Sequence, residues 1–283
     1  MKKCILKVVL FSFLFAPVFI MAQDFQGKAY YQSKTTIDIK MEDDHMSDEQ
    51  MKMMQEMLKK QFEKSFVLTF NKEASIYKEE EQLDKPTGGS GGMEMIFIGG
   101  SSASERLYKN TKAKTYAREQ NLFGKPFLVK DELKPQEWKL EDESKMIGKY
   151  LCFKATAVRE VRSMEFDSKH KNDEKSDKVK EKMEEQVITA WYTSDIPVSH
   201  GPDNYWGLPG LIMELNVDKT QYVCNKIVMN SKDKIEIKEP TKGKVITSEK
   251  FNELMEKKMK EMDMNRGREG RGDGHSISIQ VGG

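Results

Sequence analysis

The chain has 283 residues, 37% of them hydrophobic and 33% charged, enough for one large domain but with several segments left in solvent. Its 47 basic and 46 acidic residues leave a formal charge of +1. Such near-cancellation excludes the electrostatic footprint of a nucleic-acid binder.

The N-terminus carries an export signature. Lys2, Lys3 and Lys7 precede an apolar run from Val8 to Met21, broken only by Ser12 and Pro17. Small Ala22 suits the position before cleavage, so residues 1–22 read as a signal peptide and the mature chain begins at Gln23. The run is too short, and too soon followed by polar sequence, to favour a membrane span; an uncleaved N-terminal anchor is the alternative reading. Cys4 lies ahead of the apolar run, where no lipid attachment would survive cleavage. Removing the three lysines leaves 44 basic against 46 acidic residues. The expected product is exported, periplasmic or outer-membrane-associated, and soluble after cleavage. Cys152 and Cys224 remain. An oxidising compartment permits a disulfide between them; two separately buried thiols are the alternative, because pairing requires neighbouring strands.

Residues 23–240 read as a mainly β domain of short alternating strands. The first spans Lys28 to Ile39. Phe66, Leu68 and Phe70 mark the second, and Ala74 to Lys78 returns from it. Glu105 to Lys109 and Thr115 to Arg118 flank the turn Asn110-Thr111-Lys112. Phe127 to Lys130, Tyr150 to Val158, Val187 to Thr193 and Leu211 to Val217 follow. Asp218-Lys219-Thr220 turns the chain into Gln221 to Met229, and Lys234 to Lys238 ends the series. Short turns between consecutive strands favour an antiparallel sheet. The expected architecture is a curved antiparallel sheet or open half-barrel, with helices covering one side.

Helical patterns interrupt the strands. A helical insertion is expected near 47–64, where Ser47 and Gln50 form a capping box and Met51, Met54, Leu58 and Phe62 recur at helical spacing. A charged insertion near 167–186 reads as a solvated helix or mobile loop. A C-terminal helix is expected over 241–264, with Ser248 as its cap and Phe251, Leu254, Met255, Met259 and Met262 on one face. The Gly/Arg-rich tail, 265–283, reads as disordered. Met93 to Ile98 is a strand candidate between glycine-rich segments.

One stretch is not generic: Tyr205-Trp206-Gly207-Leu208-Pro209-Gly210-Leu211-Ile212. Pro209 presets φ for a tight turn and Gly210 can take the positive φ that a type II turn needs next. Ile196-Pro197 and Gly201-Pro202 stiffen the loop before it. Leu211, Met213, Leu215 and Val217 then share one face of a strand, and Ile212, Glu214 and Asn216 the other. Such a loop can close the core at one end of a curved sheet. It can also form the rim of a ligand groove, in which case Trp191, Tyr192, His200, Tyr205, Trp206 and Glu214 are the binding residues.

The run Trp191-Tyr192-Thr193, Ile196-Pro197, Gly201-Pro202, Gly207-Leu208-Pro209-Gly210-Leu211-Ile212 and Glu214 resembles the GLPGLI family of Gram-negative envelope proteins. Trp138-Lys139-Leu140, Ile147-Gly148, Tyr150, Cys152 and Lys154-Ala155-Thr156 resemble its middle block. The resemblance covers roughly Gly27 to Lys238. It implies an exported, mostly β protein of a largely uncharacterised family, often found with outer-membrane receptor systems. It supplies no catalytic residue.

Other chemistry is sparse. Gly88-Gly89-Ser90-Gly91-Gly92 matches the hydrolase pattern Gly-x-Ser-x-Gly, but lacks a strand before it and a helix after it, so it reads as a loop. His200 with Asp195, Asp203 or Glu214 could carry acid–base work only by converging within hydrogen-bond reach. His45, His170 and His275 show no zinc spacing. The 19 methionines cluster at Met41, Met46, Met51, Met53, Met54 and Met57, and at Met255, Met259, Met262 and Met264. They read as adaptable packing surfaces, with Cu(I) ligation as the sharper alternative; no other metal or cofactor is expected. Arg271-Gly272-Asp273 in the tail reads as chance. The leading expectation is a non-enzymatic binder of an apolar ligand, a peptide, or an outer-membrane receptor or transporter. The alternatives are an exported hydrolase and a copper-handling protein.

Overall fold

A computed structural model describes residues 25–36, 49, 52, 63–80, 106–165, 180–230 and 236–269. The expected signal peptide, the strand candidate Met93 to Ile98, the Gly-x-Ser-x-Gly loop and the tail after Glu269 lie outside these residues. So does the helix expected near 47–64, apart from Glu49 and Lys52, both helical, and Glu63 and Lys64, which are strand rather than helix.

Twelve strands form one open sheet: β1 (Gln26–Thr35), β2 (Glu63–Asn71), β3 (Ala74–Glu79), β4 (Arg106–Asn110), β5 (Thr115–Leu122), β6 (Lys125–Glu132), β7 (Lys139–Ile147), β8 (Tyr150–Glu165), β9 (Lys180–Thr193), β10 (Leu211–Val217), β11 (Thr220–Met229) and β12 (Lys244–Ile246). Their order is β12-β6-β5-β4-β3-β2-β1-β11-β10-β9-β8-β7. Every pairing is antiparallel except β12 with β6. The protein is therefore mainly β, with a single unclosed sheet, as the alternation implies.

Tight turns set the registers. Phe123 and Gly124 between β5 and β6 both have positive φ, 50° and 76°, the pattern of a two-residue type I′ hairpin. Asp218 takes a φ of 50° between β10 and β11. The Asn71 side chain accepts from the amides of Glu73 and Ala74, closing the β2–β3 turn. Irregularities fall at Tyr30/Tyr31 opposite β11, at Ile212/Glu214 opposite β9, and at Leu140/Ser144 opposite β8. Bulges of this kind increase local twist and bend a sheet.

Because side chains alternate across a strand and paired residues share a face, the registers give lateral rows. Gly27, Phe70, Ser75, Lys109 and Tyr116 form one. Ala29, Leu68, Tyr77, Leu107, Arg118 and Val129 form the next, and Tyr31, Phe66 and Glu79 a third. This face carries the main core. Ile196 and Val198, from the loop between β9 and β10, pack there with Leu68, Phe70 and Tyr77. The Tyr31 hydroxyl donates to the Ile212 carbonyl at 2.6 Å. The same loop thus fills the face that β1–β4 and β10–β11 present.

Several boundaries differ from expectation: β1 starts at Gln26 and ends at Thr35, and residues 265–269, expected in the disordered tail, are helical. Edge strand β7 was not foreseen, because its run Lys139–Ile147 is mostly exposed and charged. The charged segment near 167–186 is partly strand: β9 begins at Lys180 and pairs with β8, setting Glu165 opposite Lys180 and Arg159 opposite Gln186. Glu236 to Lys238 is not strand, and the last strand is Lys244–Ile246. The C-terminal helix, α1 (Ser248–Glu269), is capped by Thr247, whose hydroxyl faces the Lys250 amide at 3.4 Å. Ser248 instead bonds Asp131 through both its amide and its hydroxyl. This pins the helix start over β6, where Phe251 meets Phe127 at 5.6 Å between ring centres.

Candidate functional site

The loop from Ser194 to Gly210 places most of the residues singled out above, and it places them inside. Tyr205, Trp206 and Leu208 are buried, as are Leu211 and Ile212 at the start of β10; Gly207 and Pro209 are exposed. The amide of Leu211 donates to the Ile196 carbonyl and that of Ile212 to the His200 carbonyl, both at 3.0 Å. Trp206 donates its indole N–H to the Lys134 carbonyl, while Trp138 donates its own to the Trp206 carbonyl at 2.7 Å. The turn geometry differs from expectation. The positive φ, 102°, belongs to Gly207, not Gly210. Gly210 serves close approach: a Cβ there would stand 2.1 Å from the Thr193 carbonyl oxygen.

The candidate acid–base groups do not converge. His200 is fully buried; its Nε2 lies 3.0 Å from the Asn71 carbonyl and its Nδ1 has no partner among the described residues. Burial, reinforced by Lys109, pushes its pKa down to about 3, so the ring is neutral at physiological pH. Glu214 pairs with Lys145 at 2.7 Å and accepts from Asn216 and Gln221. Burial raises its carboxyl, but Lys145 and these amides outweigh it and hold it below the usual range. Lys145 lies 4.2 Å from the centre of the Trp191 ring, a cation–π contact. Tyr192 is buried against Phe153. Cys152 and Cys224 are free, buried thiols.

Lys109 holds the loop to the sheet. Its side chain is fully buried, and Nζ donates to the carbonyls of Gly201 at 2.7 Å, Asp203, and Tyr205 at 3.3 Å. Burial lowers its pKa to about 7, Arg118 adding to the effect and Asp203 opposing it. The Asp203 carboxylate turns the other way, onto the Arg118 guanidinium at 2.5 Å. Burial alone would raise the Asp203 carboxyl, but Arg118 and Lys109 hold it below its ordinary value.

Beside that ion pair lies a part-open cavity of about 160 Å³, lined by Phe66, Tyr77, Glu79, Leu107, Arg118, Asp203 and Tyr222. Its floor is the second and third lateral rows of the sheet, and Asp203 reaches it from the loop. Phe66 and Tyr77 stack at 4.8 Å, and Tyr222 tilts against Phe66 at 6.3 Å. Glu79 is paired with Lys64 at 3.2 Å. The Tyr77 hydroxyl is buried and has no partner among the described residues. This constellation was not visible beforehand. It draws on five strands and one loop, and only the strand order brings them together.

Fold and cavity define an open, antiparallel-rich sheet protein with a small cavity beside the Ser194–Gly210 loop. Residues 138–214, which include β7, β9 and the whole loop, match the model of a family described as a protein of unknown function (Porph_ging), an uncharacterised family found in Bacteroidetes. This match does not show the GLPGLI name, which rests on the sequence resemblance of the Trp138–Thr156 and Trp191–Glu214 blocks. No curated protein matches the chain. Two crystal forms of PNGF-II resemble the fold with a TM-score of 0.47, at 12% and 13% identity. The match covers 82% of this chain, which spans 33% of theirs. Among the described residues no helix is long and apolar enough to cross a membrane, and no group of three or more acidic, histidine or cysteine side chains could hold a metal ion.

Proposed function

We propose that the chain is an exported, non-enzymatic binding protein of the cell envelope, which holds an apolar small molecule, a peptide, or a segment of an outer-membrane receptor or transporter. The observation that supports this reading is the cavity under the Asp203 segment. It is part-open to solvent, and Phe66, Tyr77, Tyr222 and Leu107 form apolar walls beside the charged Glu79, Arg118 and Asp203. Small ligand sites have this form: apolar walls with a few placed polar groups. Its carboxylates are already engaged, Asp203 by Arg118 and Glu79 by Lys64. A hydrolase built on His200 would need an accessible imidazole, and this one is sealed in the core. Export is carried by the N-terminal basic and apolar pattern. Native mass spectrometry of the protein extracted gently from its own cells tests the reading. A co-purifying small molecule, peptide or receptor is expected; repeated recovery of the bare chain contradicts it.

A further inference from the structure

The geometry points to ordered water inside the fold: we propose that the seam between the Ser194–Gly210 loop and the β2–β4 face holds buried water molecules, bound by Ser75, His200 and Asn204. None of these three residues lines the cavity described above, so the inference does not rest on the binding reading.

Three buried polar atoms meet at this seam without a partner among the described residues: the Ser75 hydroxyl, His200 Nδ1 and Asn204 Oδ1. Ser75 and His200 are fully buried residues. The strand registers bring the three together. Ser75 stands opposite Phe70 on β2 and Lys109 on β4, in the first lateral row. His200 packs on Phe70, with 6.2 Å between ring centres. The Lys109 ammonium meets the carbonyl of Gly201, the neighbour of His200, and those of Asp203 and Tyr205, which flank Asn204. Each unpartnered atom is thus one residue or one strand pairing from a group that Lys109 fixes.

Hydrogen-bond chemistry selects the guest. His200 Nε2 lies 3.0 Å from the Asn71 carbonyl. A carbonyl only accepts, so Nε2 carries the proton of the neutral ring, and Nδ1 presents a bare lone pair to the seam. Asn204 Oδ1 is an acceptor as well. Against these two acceptors the Ser75 hydroxyl has one proton to give, and the three ammonium protons of Lys109 go to the loop carbonyls. The seam is short of donors. A metal cation would suit the lone pairs, but the Lys109 ammonium repels it in a low-dielectric interior. An anion would face lone pairs. Water is uncharged, donates two protons and can accept one from Ser75. Buried waters make about three bonds of this kind to groups the protein leaves unpaired, and leaving such groups dry is costly.

The test joins a high-resolution crystal structure of the full chain, NMR of the chain labelled with nitrogen-15 in histidine, and urea unfolding of Ser75→Ala. The crystal should show water within hydrogen-bond reach of at least two of the three atoms. The NMR should show the His200 proton on Nε2. The variant separates a wet seam from a dry one by sign. Deleting a dry, unpaired hydroxyl relieves a desolvation cost and raises the urea midpoint; deleting a hydrated one takes a bond from the water and lowers it. A lower midpoint is expected. No water near any of the three atoms, a metal ion or anion in its place, a proton on Nδ1, or a raised midpoint in Ser75→Ala would each overturn the inference.

Discussion

Gly210 lies against the backbone of Thr193: a Cβ at Gly210 would sit 2.1 Å from the Thr193 carbonyl oxygen and 2.6 Å from its carbon. That contact locks the exit of the loop onto the end of β9. Gly210→Ala must push two backbones apart at a junction where neighbouring Leu211 and Ile212 are fully buried. A loss of about 3 kcal/mol is expected, the upper end for overpacking. Gly207→Ala, at a φ of 102° with open space beyond the Trp138 ring at 3.5 Å, should cost about 1–2 kcal/mol from backbone strain alone. Urea unfolding of the two variants checks the order; equal losses would mean the Thr193 contact is absent.

Sequence patterning made much of the sheet legible, because alternation at Phe66, Leu68 and Phe70 reports burial of one face. Along β10 the irregularity at Ile212/Glu214 overturns the expected alternation and groups Ile212, not Leu211 and Met213, with Leu215 and Val217. Strand β7 was hidden because an edge strand buries too little to alternate. The hexapeptide was legible as a rigid corner but not as to which glycine does what. Close approach and positive φ both select glycine, and only coordinates separate Gly210 from Gly207. The cavity was not legible at all. Tyr77 and Arg118 sit in unremarkable strands, and their meeting with Tyr222 and Asp203 depends on β11 returning beside β1.

His200 should make the fold acid-sensitive. Its folded pKa, about 3, lies below the ordinary value near 6.5. The unfolded chain therefore binds the extra proton first, and the stability contributed by His200 is full above about 6.5 and lost as pH falls towards 3. His200→Gln should flatten the fall in urea midpoint between pH 6.5 and 5, before the carboxylates titrate. An identical slope in both proteins would show that the ring is accessible to protons in the native state.

Lys109 follows the same sign at higher pH. With a folded pKa of about 7 against 10.5 in the open chain, its contribution is full above 10.5 and falls as pH drops towards 7. Lys109→Met removes the donor to three loop carbonyls. Leaving such groups buried and unpaired costs about 1–3 kcal/mol each where water cannot reach them. A midpoint shift worth about 3 kcal/mol at pH 7 is expected, together with loss of the rise in stability between pH 8 and 10. A variant as stable as the wild type would show that water replaces the ammonium.

The two thiols should be inert in the native state. Burial pushes Cys152 up to about 11 and Cys224 up to about 12, so little reactive thiolate exists at pH 8. Iodoacetamide should label neither until the chain is unfolded, and then both. Absence of labelling after unfolding without reductant would show that the two cysteines are joined.

Location of the ligand is the most direct question. Leu107 lines the cavity, while Leu128 is buried in β6 and is not among its lining residues. Methyl NMR of the full chain, titrated with the small-molecule and peptide fraction of its own cells, reads both at once. The predicted result is movement of the Leu107 methyls with Leu128 unmoved. Shifts confined to methyls far from the cavity, or no shifts at all, would contradict it.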